Sequence, residues 1–385
     1  MKEIICIPDS FKGSLSSMQV CAAMARAAAL EAPGVPCRAL PVADGGEGTV
    51  DAFLAALGGE KIALPAAGPF GETRPSFYGR LNEKTAVVEM AAAAGLPLAG
   101  EKRNPEKTTT LGVGQLMRDA LEKGAREIIL GLGGSATNDG GCGAAAALGV
   151  RFLDAAGRAF CPTGETLCQI ARIDCAPARQ ALSGVRLRVM CDIDNPLCGP
   201  QGAAAVFGPQ KGADAAMIAR LDAGLAHLAR VALRDTGVDM LRIPGAGAAG
   251  GMGGGMAALL GGEMQIGIEA VLDITGFDGL LANAALVLTG EGWLDAQSLR
   301  GKAVIGVARR AKKRGVPCAA LVGGLTGPLD AAYAQGLTAA FPICPGPVPL
   351  EKALTEAEEN LLAAARNALR LFLAGNKGKG EITPC

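Results

Sequence analysis

Histidine is all but missing from this 385-residue chain: His227 stands alone. One imidazole argues against Ser-His-Asp catalysis and against a histidine-ligated zinc hydrolase. Aromatic residues make up only 3%, with a single tryptophan, so platforms for stacking nucleic-acid bases are lacking. Net charge is missing as well. The 37 basic and 37 acidic residues cancel, which removes the electrostatic reason to expect nucleic acid or a membrane surface as partner. No C-x-x-C pair occurs among the 12 cysteines. Cys161, Cys168 and Cys175 recur every seven residues, as do Cys191 and Cys198, a spacing that fits neither zinc knuckles nor ribbons, so buried reduced thiols are expected. The uncharged run from Ile243 to Gly262 has the length of a membrane span, but nine of its residues are glycine and few are large and apolar. Met1-Lys2-Glu3-Ile4-Ile5 leads straight into a strand without a charged-then-apolar leader, and a cytoplasmic location is expected.

What the chain does have is glycine, 56 residues of it, and an apolar half built from small and branched side chains. At roughly 150 residues per domain the length predicts two domains or three. Glu3 to Ile7 reads as a buried strand, Ser16 to Leu30 as a helix, Pro36 to Val42 as a strand, and Thr49 to Leu57 as a helix. Strands alternating with helices predict a parallel sheet whose ligands gather at the carboxyl ends of its strands. From Gly68 the rhythm changes. Arg74–Tyr78 and Thr85–Met90 read as strands with no helix between them, and a long helix starts after Asp214, its N-cap. Alternation returns with strands at Ala285–Leu288, Val316–Val322 and Leu337–Ile343, a helix at Lys302–Lys313, and a last amphipathic helix. The expected architecture is α/β: a Rossmann-like parallel-sheet domain formed by both chain ends (1–67 plus 284–374), with a larger mixed α/β domain inserted (68–283) and a flexible tail at 375–385.

Five turns carry the chemistry. Pro8-Asp9-Ser10-Phe11-Lys12-Gly13-Ser14 lies where a strand gives way to a helix, a place that favours anions, and Lys12 adds a positive charge. In Asp44-Gly45-Gly46-Glu47-Gly48 two carboxylates stand among glycines, suiting Mg²⁺ or the hydroxyls of a small substrate. The run Gly131 to Gly141 supplies backbone N–H groups together with Ser135, Thr137, Asn138 and Asp139, an inventory matched to a phosphate chain with bound metal. It has neither the Walker A lysine nor the dinucleotide fingerprint. Asp192, Asp194 and Asn195 end an apolar strand, with Lys211 downstream; they make a metal or general-base station, or a plain Asx turn. Finally, Thr289-Gly290-Glu291-Gly292-Trp293-Leu294-Asp295 is followed by Gln297, Ser298, Arg300 and Lys302. Phosphoryl transfer needs little beyond such carboxylates, cations and glycine loops.

Read in order, these motifs together with Phe207-Gly208-Pro209-Gln210-Lys211-Gly212 and Pro244-Gly245-Ala246-Gly247-Ala248-Ala249-Gly250-Gly251 resemble the bacterial glycerate kinase family over nearly the whole chain. The resemblance implies ATP-dependent phosphorylation of D-glycerate with Mg²⁺, in glyoxylate or sugar-acid catabolism, on a Rossmann-like domain interrupted by a larger α/β domain. Trp293 departs from it, because the family commonly has arginine there; Arg300 or Lys302 would then take over any anion contact.

Within that frame, residue chemistry assigns expected roles. Lys12, Asp192 and Asp295 are the catalytic candidates, Asp295 as base. Asp9, Ser10, Asp44, Glu47 and Arg300 are placed on the substrate, and Gly133, Gly134, Ser135, Thr137, Asn138, Lys211 and Lys302 on the nucleotide. Asp139, Asp192, Asp194 and Glu291 are the metal candidates. Phosphorylation of the 2-hydroxyl is favoured over the 3-hydroxyl. A non-catalytic nucleotide or sugar-acid sensor and a Rossmann oxidoreductase are the rival readings, and a homo-oligomer stays compatible with all of them.

Overall fold

The structure, a computed structural model, describes residues 2–43, 45–101, 103–295, 298–300 and 302–376. They fall into two compact units with the bounds Met1–Ala43, Ala55–Leu57 and Ile266–Cys385 for the first, and Asp44–Leu54 and Gly58–Gln265 for the second.

The first unit is built on a five-stranded sheet in the order Ala339–Pro342, Cys318–Leu325, Ala284–Leu294, Glu3–Cys6, Cys37–Ala39, with every pairing parallel. Counted along the chain within this unit, the strand order is 2-1-3-4-5, the flavodoxin-like form of the doubly wound sheet. Both faces are covered, which is why the strands read as unbroken apolar runs. Ile4 and Cys6 pack with the helices Ser17–Glu31 and Ala357–Asn376, while Ile5, equally buried, faces the other way. The first helix begins at a capping box: Ser16 Oγ accepts from Gln19 N, and Gln19 Oε1 accepts from Ser16 N. Strand order reverses between Glu3–Cys6 and Ala284–Leu294, so the loops after these two strands sit at the switch point, where such sheets bind ligands.

The second unit holds a six-stranded mixed sheet, ordered Glu263–Gln265, Arg186–Met190, Glu127–Gly131, Thr85–Glu89, Thr73–Arg80, Glu60–Ala67. The first four strands run parallel and the last two add antiparallel. Glu89, Gly131 and Met190 end their strands in register, so the loops that follow all leave one edge. The long helix Ala215–Thr236 starts where Asp214 accepts from Met217 N at 2.7 Å and stops at Gly237, whose φ is 78°. Ala248–Leu260 is helical apart from a left-handed segment at Ala249, Gly250 and Gly251.

The unit bounds differ from the expected 67 and 284. Glu60–Ala67, half-exposed and not read as a strand, pairs along its whole length with Thr73–Arg80 and so joins the second sheet. At the other end, Gly267–Ile274 packs on the helix Ala303–Lys313 of the first unit. Of the 375–385 segment, residues 377–385 lie outside the described residues. The apolar run at 243–262 folds as a kinked thirteen-residue helix, and among the described residues no helix is long and apolar enough to cross a membrane.

Candidate active site

In the first unit two turns interlock at the switch point. Asp9 N donates to Gly290 O at 2.8 Å, and Thr289 Oγ1 donates to Ile7 O at 2.9 Å. Gly292 brings the two turns close, since a Cβ on it would lie 3.2 Å from Lys12 N and 3.3 Å from Phe11 Cα. Phe11 and Leu15 close the first turn by mutual backbone bonds, leaving Lys12 exposed at its tip and Asp9 and Ser10 half-buried.

Glu291 lies 6% exposed on the strand Ala284–Leu294. Burial pushes its carboxyl up to about 7, and Asp295 adds to the rise, while the Ser298 hydrogen bond and the Lys302 charge oppose it. One of its oxygens, Oε1, has no partner. Asp295 is engaged in capping: its Oδ1 accepts from Ser298 N at 3.1 Å, and Ser298 Oγ accepts from Asp295 N at 3.3 Å. Lys302 is exposed at the start of the helix Ala303–Lys313. Trp293 is 59% exposed, with Nε1 donating to Thr326 Oγ1 at 2.7 Å. Gln297 lies outside the described residues, as does the side chain of Arg300.

In the second unit the glycine turns stack backbone on backbone. Gly133 N donates to Gly45 O at 2.9 Å, and a Cβ on Gly133 would lie 2.6 Å from Gly46 Cα. The left-handed segment closes the loop from another side, with Gly140 N donating to Gly250 O and Gly250 pressed against Thr137 and Asn138. Gly247 N donates to Asn195 O, which brings the turn after Arg186–Met190 to the same neighbourhood. Thus the segments around Gly45, Gly133, Asn138, Asn195 and Gly250 converge, although they are dispersed in sequence. Gly134 and Glu47 are exposed, and so are Asp192 and Asp194; Asp44 lies outside the described residues.

Two charged candidates turn out to support the loop from within. Asp139 is fully buried and accepts from Thr110 N, Thr110 Oγ1, Gly141 N and Gly143 N. Burial pushes its carboxyl up, against those four donors. Lys211, 2% exposed, donates from Nζ to Ser135 Oγ and Thr137 O, both at 2.7 Å. Burial lowers its ammonium to about 7, with the charge of Asp139 pulling the other way. Thr137 Oγ1 and both polar atoms of the Asn138 amide are buried without partners. Among the described residues no group of three or more His, Cys, Asp or Glu side chains is arranged to hold a metal ion. His227 is a packing residue, between Ile170 O and Arg230.

Sequence reasoning missed two contributors, Thr110 and Glu89, and named Ser298 without a role. Ser298 follows Asp295 at capping-box distance, a signal that was there to be read. Thr110 has no such signal. Glu89, a carboxylate ending the apolar run Val87-Val88, is 2% exposed and accepts from Val50 N at 2.9 Å.

Comparison with known proteins shows the family. The model of the glycerate kinase family matches residues 4–373. A glycerate kinase of Bacillus subtilis strain 168 is 46% identical over 367 residues, spanning 95% of this chain and 96% of that protein. A glycerate 2-kinase of Escherichia coli strain K12 is 42% identical over 380 residues, spanning 98% and 100%. A crystal structure from Salmonella typhimurium LT2, carrying the name glycerate kinase 2, superposes with a TM-score of 0.86 at 42% identity and covers 98% of this chain and 99% of its own.

Proposed function

Since the chain belongs to the glycerate kinase family, a family of phosphotransferases, we propose that it transfers the γ-phosphoryl of ATP to the 2-hydroxyl of D-glycerate, giving 2-phosphoglycerate and ADP. The observation that supports this most is the seating of the acidic turn at Gly45–Gly46 directly on the glycine loop at Gly131–Gly133. The glycine loop and the turn that carries Glu47 are thereby neighbours.

In this reading the exposed Gly134 and the Ser135 hydroxyl face the phosphates, Gly133 holds the loop to the acidic turn through its bond to Gly45 O, and Lys211 and Asp139 keep that loop in shape from beneath. The unpartnered Thr137 hydroxyl and Asn138 amide support a site completed by ligand. Lys12 and Lys302, both exposed cations, neutralise the carboxylate of glycerate and the transferring phosphoryl. Asp9, Ser10, Asp44 and Glu47 are assigned to the substrate, with Arg300 as a further anion contact. Glu291 takes the role of base in place of Asp295, whose Oδ1 already serves as a cap; a carboxyl near 7 is suited to accept a hydroxyl proton. The substrate oxygen then bonds to the γ-phosphorus, the bond from that phosphorus to the β–γ bridging oxygen breaks, and the proton moves to Glu291.

Mg²⁺ fits the exposed, hard oxygen donors Asp192 and Asp194, since this ion commonly takes one or two carboxylates plus substrate phosphates. When bound, it supplies neutralisation of phosphate charge. We assign the enzyme to the cytoplasm. A coupled assay of ADP release tests the activity: D-glycerate-dependent ADP above the ATPase background supports it, and no such increment refutes it. Nicotinamide reduction without ATP would support an oxidoreductase instead.

A further inference from the structure

We propose that Glu89 is a positioning residue for the reaction, a buried carboxylate that locks the acidic turn to the glycine loop; the inference rests on the kinase reading above. The helix Thr49–Leu57 begins at Gly48, which has φ 86° and offers no side chain to cap the first N–H groups. One of them is capped from elsewhere in the chain. Glu89 Oε2 accepts from Val50 N at 2.9 Å. Charge at this spot is favoured by the positive end of the helix.

The same residue is tied to the phosphate side. Glu89 lies in register with Gly131 on the neighbouring strand, and the next residue, Met90, donates its N–H to Gly131 O at 2.9 Å. Gly131 in turn lies against Gly45, and Gly133 N donates to Gly45 O. Glu89 therefore stands at the closed corner of a short circuit: its backbone belongs to the edge carrying the glycine loop, and its side chain holds the turn carrying Glu47. Removing the carboxylate frees the helix-start N–H of Val50 and lets that turn rotate away from the loop. The charged neighbours are Asp51 and Lys61, which pair with each other, and burial pushes the Glu89 carboxyl up.

The test uses the full chain with Glu89→Ala, Glu89→Asp and Glu89→Gln. Glutamine keeps an acceptor oxygen at the same reach, so KM for D-glycerate should stay within about threefold of wild type. Alanine should raise that KM at least tenfold, with a smaller change in kcat. Aspartate, one methylene short, should fall between, and it gives the reading if the alanine variant fails to fold. Unchanged KM in both shortened variants, well below their melting temperatures, overturns the proposal. Amide exchange separates this failure from failure of the kinase reading, because it needs no turnover. Shortening Glu89 should speed exchange at residues 45–50 and at 131–134 together. Faster exchange at 45–50 alone would reduce Glu89 to a helix cap and also overturn the proposal.

Discussion

A Cβ on Gly131 would lie 2.9 Å from the Cα of Gly45, and nearer still to the Gly45 carbonyl oxygen. Backbone meets backbone there, so no side chain can swing aside to make room. Gly131→Ala should push the acidic turn off the glycine loop, with an overpacking cost of about 1–3 kcal/mol. Its glycerate-dependent ADP release should fall at least tenfold. Gly279→Ala is the control: nothing lies within 4 Å of a Cβ there, and activity should be unchanged. Equal activity in the two variants would remove the contact from the account.

Glu291 makes a prediction about pH. Its carboxyl titrates near 4.5 when unfolded and about 7 when folded, so between those values the folded chain binds more protons. Stability from this group is therefore present at pH 4 and lost as pH rises through 7. The shift corresponds to about 3 kcal/mol. Glu291→Gln should raise the urea midpoint at pH 8 and leave it nearly unchanged at pH 4, while abolishing turnover. In the wild type, kcat/KM should climb as pH passes about 7. A flat profile, or full activity in Glu291→Gln, rules out the assignment as base.

Lys211 carries the opposite sign. Its ammonium titrates near 10.5 unfolded and about 7 folded, so the unfolded chain binds more protons between them. The contribution grows as pH rises from 7 to 10.5, and Lys211→Met should flatten that part of the stability profile. Met also strands Thr137 O, which is otherwise held by the ammonium. KM for ATP should rise severalfold as the loop loosens. An unaltered stability profile with lost kcat would instead make Lys211 a direct phosphate ligand.

Trp293 lies over Gly324 on the neighbouring strand, where a Cβ would come within 2.5 Å of more than one indole carbon. Trp293→Arg frees that surface and adds a cation next to Gly292, whose Cα is packed on the Lys12 turn. KM for D-glycerate should fall threefold or more, with greater salt sensitivity. No change in KM would show that position 293 stays clear of the substrate.

Much of this could be read from the residues alone. The strand, turn and helix from Glu3 to Glu31 announce themselves by an apolar run, a polar break and a capping box, and Asp214 marks its helix start for the same reason. The glycine turns were legible because dispersed acids and hydroxyls at strand ends have few other uses. Glu60–Ala67 escaped: it contains Pro65, and most of its side chains face solvent, so periodicity gave little hint of an edge strand. Nor does a sequence tell which lysine is buried. Lys211 and Lys12 look alike in their glycine contexts, yet one is sealed beneath the loop and the other exposed at a turn tip. Tertiary packing decides that difference, as it decides which backbone Glu89 caps.

The most direct measurement is a phosphorus NMR spectrum of the full chain incubated with ATP, Mg²⁺ and D-glycerate. The account predicts loss of the γ-phosphate resonance, growth of the ADP resonances, and one new phosphomonoester signal coupled to the proton on carbon 2. A spectrum in which ATP persists, or in which only inorganic phosphate grows, contradicts phosphoryl transfer to glycerate. A signal coupled to the protons on carbon 3 contradicts the choice of hydroxyl.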